Sequence, residues 1–119
     1  MPEGGIWNLG QVIQDNPLGG EPIKWAYLVE GAHTTINVVQ VPSANIPHTH
    51  HEHNETVYVL KGEGEFRLEN KIYPFKPGDV VFIPADTVHT PITDGYIAAL
   101  SIYSPHFDPQ NPDREFVNP

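Results

Sequence analysis

Thirteen prolines and ten glycines interrupt this 119-residue chain every several positions. Proline lacks the amide hydrogen and clashes inside a helix, and glycine weakens regular elements, so few windows of helical length survive. No helix is expected. Between the interruptions lie short runs rich in β-branched and aromatic residues, which suit the pleated, half-buried surface of a strand. These runs are 25–30, 34–41, 55–60, 65–69, 71–75, 79–83 and 96–103. Glu69-Asn70-Lys71 reads as a hairpin with a positive φ at Asn70. Lys76-Pro77-Gly78-Asp79 reads as a turn with proline preset at its second position. Lys61-Gly62-Glu63-Gly64 makes a further bend, whose glycines are conformational. They do not cradle phosphate, because no P-loop lysine and serine follow. Many short strands at close spacing imply an all-β sandwich or barrel rather than βαβ units. Residues 25–104 form that barrel, 1–24 an N-terminal arm able to pack on a partner, and 105–119 a proline-rich C-terminal tail.

Charge and cysteine content narrow the function. Six Lys+Arg against fifteen Asp+Glu give a net charge of −9 with histidine neutral. A surface this acidic repels phosphate backbones and anionic lipid, so nucleic-acid and membrane partners are excluded. The absence of cysteine removes disulfides, thiol nucleophiles and thiolate metal sites. No run approaches the roughly 18 apolar residues of a membrane helix. The first residues, Met1-Pro2-Glu3-Gly4-Gly5, lack the features of a signal peptide, so a cytoplasmic location is expected. Asn54-Glu55-Thr56 matches a glycosylation sequon and is read as a chance triplet.

The histidines are clustered. Of seven, four (His48, His50, His51 and His53) precede the run 55–60, and His89 follows the run 79–83. In an extended segment His48 and His50 project from the same face, and Glu55 follows after a stretch long enough to return to that face. Imidazole nitrogens with one carboxylate suit a divalent first-row metal and leave coordination positions open. His51, His53 and Glu55 on one straight strand would spread over about 13 Å, too far to converge on one ion. His48, His50, Glu55 and His89 are therefore the candidate ligands, with His51 and His53 as neighbours or rim groups. His33 and His106 carry no motif.

The same residues resemble the two motifs of the cupin superfamily. The first, HxH followed by Glu and then Gly, lies on His48, His50, Glu55 and Gly62. The second lies on Gly78, Pro84 and His89. Together they span residues 42–93, with Pro42, Asp86 and Thr93 departing from the family pattern at positions that do not bind metal. The resemblance implies a double-sheet jelly-roll barrel with one divalent transition metal (Mn, Fe, Ni, Zn, Co or Cu) inside. It also implies a homodimer, and it supports His48, His50, Glu55 and His89 as the metal ligands.

Two functions follow from such a site. One is a metalloenzyme acting on a small oxygenated metabolite, of the dioxygenase, isomerase or decarboxylase/lyase type. The other is a module that binds a small sugar or organic acid without turnover. No acid–base residue is assigned. Glu52 reads as an exposed loop carboxylate with a possible role as a base. Tyr58, Tyr73, Tyr96 and Tyr103 read as core or sheet-face residues. Arg67 is a surface charge if Phe66 and Leu68 point inward, and an anchor for a substrate carboxylate in the opposite register.

Overall fold

A computed structural model describes residues 3–42, 48–93 and 95–116. The first two residues of the expected arm, the last three of the expected tail and Pro47 beside the histidine cluster lie outside the described residues. The described chain folds into two five-stranded antiparallel sheets. In chain order the strands are β1 (Lys24–Glu30), β2 (Thr35–Val41), β3 (His48–Thr49), β4 (Asn54–Lys61), β5 (Gly64–Leu68), β6 (Lys71–Phe75), β7 (Val80–Ile83), β8 (His89–Ile92), β9 (Ile97–Ser104) and β10 (Glu115–Phe116). One sheet runs β1-β2-β9-β4-β7 and the other β10-β3-β8-β5-β6. This is the all-β double-stranded β-helix that the strand pattern and motifs imply.

Period-two burial sets which residues face the space between the sheets. Along β4, Glu55, Val57 and Val59 are buried, and Tyr58 between them is exposed. On the central strand β9, Ile97, Ala99, Ser101 and Tyr103 are the register partners of β4 and β2 on that inner face. Val57, Val59, Phe66, Phe75, Ile83, Ile97 and Ala99 form one apolar cluster. Phe66 points into it while Arg67 is exposed, with Arg67 Nε donating to the Glu69 carbonyl at 3.0 Å. Arg67 is thus a surface charge.

Three local features differ from the sequence reading. A seven-residue helix, α1 (Leu9–Asp15), does form. Leu9, Val12 and Ile13 give it one apolar stripe, and the Asn8 side chain caps it by accepting from the Gln11 N–H at 2.9 Å. The helix lies against β2 of its own sheet, where Gln40 Nε2 donates to the Asn16 carbonyl at 2.7 Å. In the β5–β6 hairpin the positive φ falls on Glu69 (55°) rather than on Asn70. Glu69 is pinned there by reciprocal bonds with Val88, one from its own N–H and one to its carboxylate. Strands β3, β8 and β10 were not visible as runs, being two to four residues long.

The expected turns form. Gly78 takes φ 96°, and the Asp79 N–H closes the turn onto the Lys76 carbonyl at 3.1 Å. Gly62 takes φ 92° where a Cβ would lie 2.3 Å from the Tyr96 carbonyl oxygen, so only glycine fits that crossing. No helix among the described residues is long and apolar enough to cross a membrane.

Candidate metal centre

The strands bring together the four residues that the spacing singles out. His48 lies on β3 and is the register partner of His89 on β8. His50 follows directly after β3. Glu55 projects inward from β4 in the opposite sheet. One donor atom from each of His48, His50, Glu55 and His89 lies within 4.8 Å of the other three. His50 and His89 are 2 % exposed and Glu55 is 7 % exposed, while His48 is half-buried at the rim. The His48 ring packs 4.2 Å from that of His89 and 5.1 Å from that of His50, centre to centre. Phe66 stacks nearly parallel to His89 on the core side.

Hydrogen bonds set the direction of each lone pair. His50 Nδ1 donates to the Asp113 carbonyl and His89 Nδ1 donates to the Thr87 carbonyl at 2.9 Å. A carbonyl can only accept, so each Nδ1 carries the hydrogen and, in the neutral ring, Nε2 is bare. Those two Nε2 atoms lie 3.3 and 3.4 Å from the same oxygen, Glu55 Oε1, and neither has a hydrogen-bond partner. Ser101 Oγ donates to the other oxygen, Oε2, at 2.6 Å. Burial pushes the Glu55 carboxyl up, and hydrogen bonds and charge from His50 and His89 pull it well below the usual carboxylate range, a pull those rings exert only through a hydrogen on Nε2; with Nε2 bare, a cation in that place does the same. Two bare nitrogens and a carboxylate thus converge out of reach of water, which is costly without a cation between them. Nitrogen and oxygen donors of this type fit a divalent transition metal.

The neighbouring histidines play other parts. Both ring nitrogens of buried His53 face oxygens, Nδ1 toward Asp113 Oδ2 at 2.7 Å and Nε2 toward the His106 carbonyl at 2.8 Å. His51 is exposed and bridges Asp86 at 2.7 Å and Glu115 at 2.6 Å. Those hydrogen bonds, that to Glu115 first, push its imidazole up to about 8. Asp86 stands where the family motif has glycine, and it takes the left-handed backbone a glycine would supply, φ 64°. Thr93, another departure, donates its hydroxyl to the Glu63 carbonyl at 3.1 Å. His106 Nδ1 faces the Gly31 carbonyl at 2.7 Å, and Glu52 is exposed on the loop.

Residues 36–103, more than half of the chain, match the Cupin domain family. The chain is a cupin. A protein of Aquifex aeolicus with no assigned role is 32% identical over 104 residues, covering 87% of this cupin and 86% of that relative. L-ectoine synthase of Halomonas elongata is 30% identical over 63 residues, which cover 50% of this cupin and 46% of the synthase. Among solved structures, a double-stranded β-helix protein from Klebsiella pneumoniae superposes with a TM-score of 0.76 at 20% identity, covering 98% of this chain and 100% of that one. That likeness is one of fold.

The most consequential residue outside the motifs is Asp113. Its carboxylate accepts from the N–H groups of His51 at 2.9 Å and Glu52 at 2.7 Å and from His53, while its carbonyl orients His50. Burial would raise its carboxyl, but the His53 bond and the two backbone N–H groups win and hold it down at about 2. The following strand β10 pairs with β3, which carries His48. No local signal marks Asp113, because its partners lie some sixty residues earlier in the chain.

Proposed function

We propose that this cupin holds one divalent transition metal per chain on His48, His50, Glu55 and His89 and is an enzyme acting on a small oxygenated metabolite. The observation that carries this reading is the pair of enclosed Nε2 atoms of His50 and His89, both turned toward ionised Glu55 Oε1. A cation among them converts mutual repulsion into attraction. The donor set serves Mn, Fe, Co, Ni, Cu and Zn alike. When bound, such an ion supplies Lewis acidity and a water of lowered pKa.

The chain's own residues contribute position and protons. The Nδ1 bonds to the Asp113 and Thr87 carbonyls fix the planes of His50 and His89. Ser101 holds Glu55 Oε2 and leaves Oε1 turned inward. Burial first, and the Glu55 charge second, push the Tyr103 hydroxyl up, so it keeps its proton and serves as a donor inside the barrel. Dioxygenase, isomerase and decarboxylase or lyase steps all suit such a site, and likeness to an L-ectoine synthase supports a catalytic role. Tyr58, Val80 and Phe82, exposed on the outer face of β4 and β7, support a homodimer.

Elemental analysis of protein purified without added metal tests the reading. One transition-metal ion per chain is expected, lost on His50→Ala or His89→Ala with the β-fold retained. Protein that carries no metal and gains no thermal stability from any divalent ion would overturn it. Metal-loaded protein that retains a small acid or sugar but transforms none would replace the enzyme with a binding module.

A further inference from the structure

Arg114 differs from the other basic residues. Lys61, Arg67, Lys71 and Lys76 are exposed, and Lys24 Nζ donates to the Pro17 carbonyl on the exposed surface. Arg114 is half-buried, with its guanidinium carbon 5.2 Å from the Trp25 ring centre and 5.6 Å from that of Phe107. The Tyr103 hydroxyl lies beside it, and Tyr27 is near enough to sense its charge. Among the described residues no carboxylate lies within ion-pair distance of this guanidinium. With fifteen acidic residues in the chain against six basic ones, an ion-pair partner among the described residues would be expected. A half-buried guanidinium whose described neighbours are two aromatic rings and a tyrosine hydroxyl gives up hydration with no anion among them.

A second observation lies on the wall beneath. Tyr27, Asn37 and Ser101 are register partners across β1, β2 and β9, so they share the inner face. Asn37 is fully buried, and both its amide nitrogen and its amide oxygen lack a partner. Ser101, next in the row, bonds Glu55 of the metal centre. Strands lie about 4.8 Å apart, so this polar row spans roughly 10 Å from β1 to β9. It connects the Arg114 side of the barrel to the metal centre.

We propose that Arg114 and Asn37 form a subsite for a small hydroxy or oxo carboxylic acid, with the carboxylate on the Arg114 guanidinium and a hydroxyl or oxo oxygen on the Asn37 amide. The planar guanidinium fork matches a carboxylate, and its stacking on Trp25 and Phe107 fixes it in advance. The Asn37 amide offers both a donor and an acceptor, which an alcohol or ketone can use. The local positive charge also answers the net −9 of the chain, which otherwise repels an anionic ligand. This assignment rests on the reading of the barrel interior as the substrate site.

Calorimetric binding of glycerate against glycerol, and of gluconate against glucitol, tests it on the full chain, both metal-loaded and metal-stripped. Each acid is expected to bind about 10- to 100-fold more tightly than its neutral counterpart. Arg114→Gln erases that preference with metal content unchanged, and Arg114→Lys, which keeps the charge without the fork, retains part of it. Asn37→Ala weakens acid and polyol alike and leaves their ratio unchanged. Equal binding of acid and polyol, binding of neither acid, or a preference that survives Arg114→Gln would overturn the subsite. A preference that persists in metal-stripped protein supports the subsite, whereas native protein that shows the preference but takes up no divalent metal would overturn the metal centre alone, so the two failures are distinguishable.

Discussion

The two ends of the barrel interior are built from the same strands by opposite means. Along β4 the inward residues run Glu55, Val57, Val59, and opposite them on β9 stand Tyr103, Ser101 and Ala99. At one end Val59, Ala99, Ile97 and Phe75 pack without polar atoms, and burial of apolar surface stabilises the fold there, with Ile83 and Phe66 continuing the packing up to Glu55 and His89. At the other end Glu55, His50, His89, Ser101 and Asn37 are just as enclosed. Burying them costs free energy, and they hold position through directed bonds from distant chain: Ser101 to Glu55, Thr87 to His89, Asp113 to His50. Two residues of β4 separate a group that stabilises the barrel from one the barrel must restrain. Stability and chemistry are thus spatially divided in one small core, and substitutions should sort accordingly.

The largest separation is expected from His50→Ala, which should lower metal affinity by more than the 10- to 100-fold typical of outer supporting residues. A competition titration against a chromogenic chelator reads this, while circular dichroism remains that of an all-β protein. Phe75→Ala, at the apolar end, should do the reverse, costing about 3–5 kcal/mol in urea unfolding with metal affinity unchanged. Equal losses of stability and metal affinity in that variant would break the division.

Asp113→Ala sharpens it. The carboxylate clamps the loop 51–53 while the residue's carbonyl orients His50, so metal affinity should fall about 10- to 100-fold. Asp113→Asn, which retains an acceptor, should recover part of that loss in the same titration. Smallest of all, Arg67→Ala on the exposed face of β5 should change unfolding free energy by no more than about 0.5 kcal/mol. It should also leave metal affinity unchanged.

How legible each end was follows from the range of its interactions. The apolar end was readable because alternation along runs such as 55–60 and 65–69 is local. Glu55 and the histidines were readable because their types are unusual and their spacing is that of strands. What brings His89 onto His48, however, is a two-residue strand, β3, too short to have a period of its own. Asp113 and Arg114 sit in a proline-rich tail with no periodicity, and their partners are fixed only when β10 pairs with β3. Glu69 took the positive φ that suited Asn70 because its bonds to Val88, nineteen residues on, outweigh intrinsic preference. The helix α1 carries little local signal for a related reason. Seven residues are marginal alone, and this helix leans on β2.

The central claim is that one cation belongs between His50 Nε2, His89 Nε2 and Glu55 Oε1. Anomalous diffraction from crystals of protein purified without added metal reads this directly. The account predicts a single anomalous peak per chain, about 2.0–2.2 Å from nitrogens of His48, His50 and His89 and from a Glu55 oxygen. Full occupancy of a peak on His51 or His53 instead, or no peak after soaking with any divalent transition metal, would contradict it.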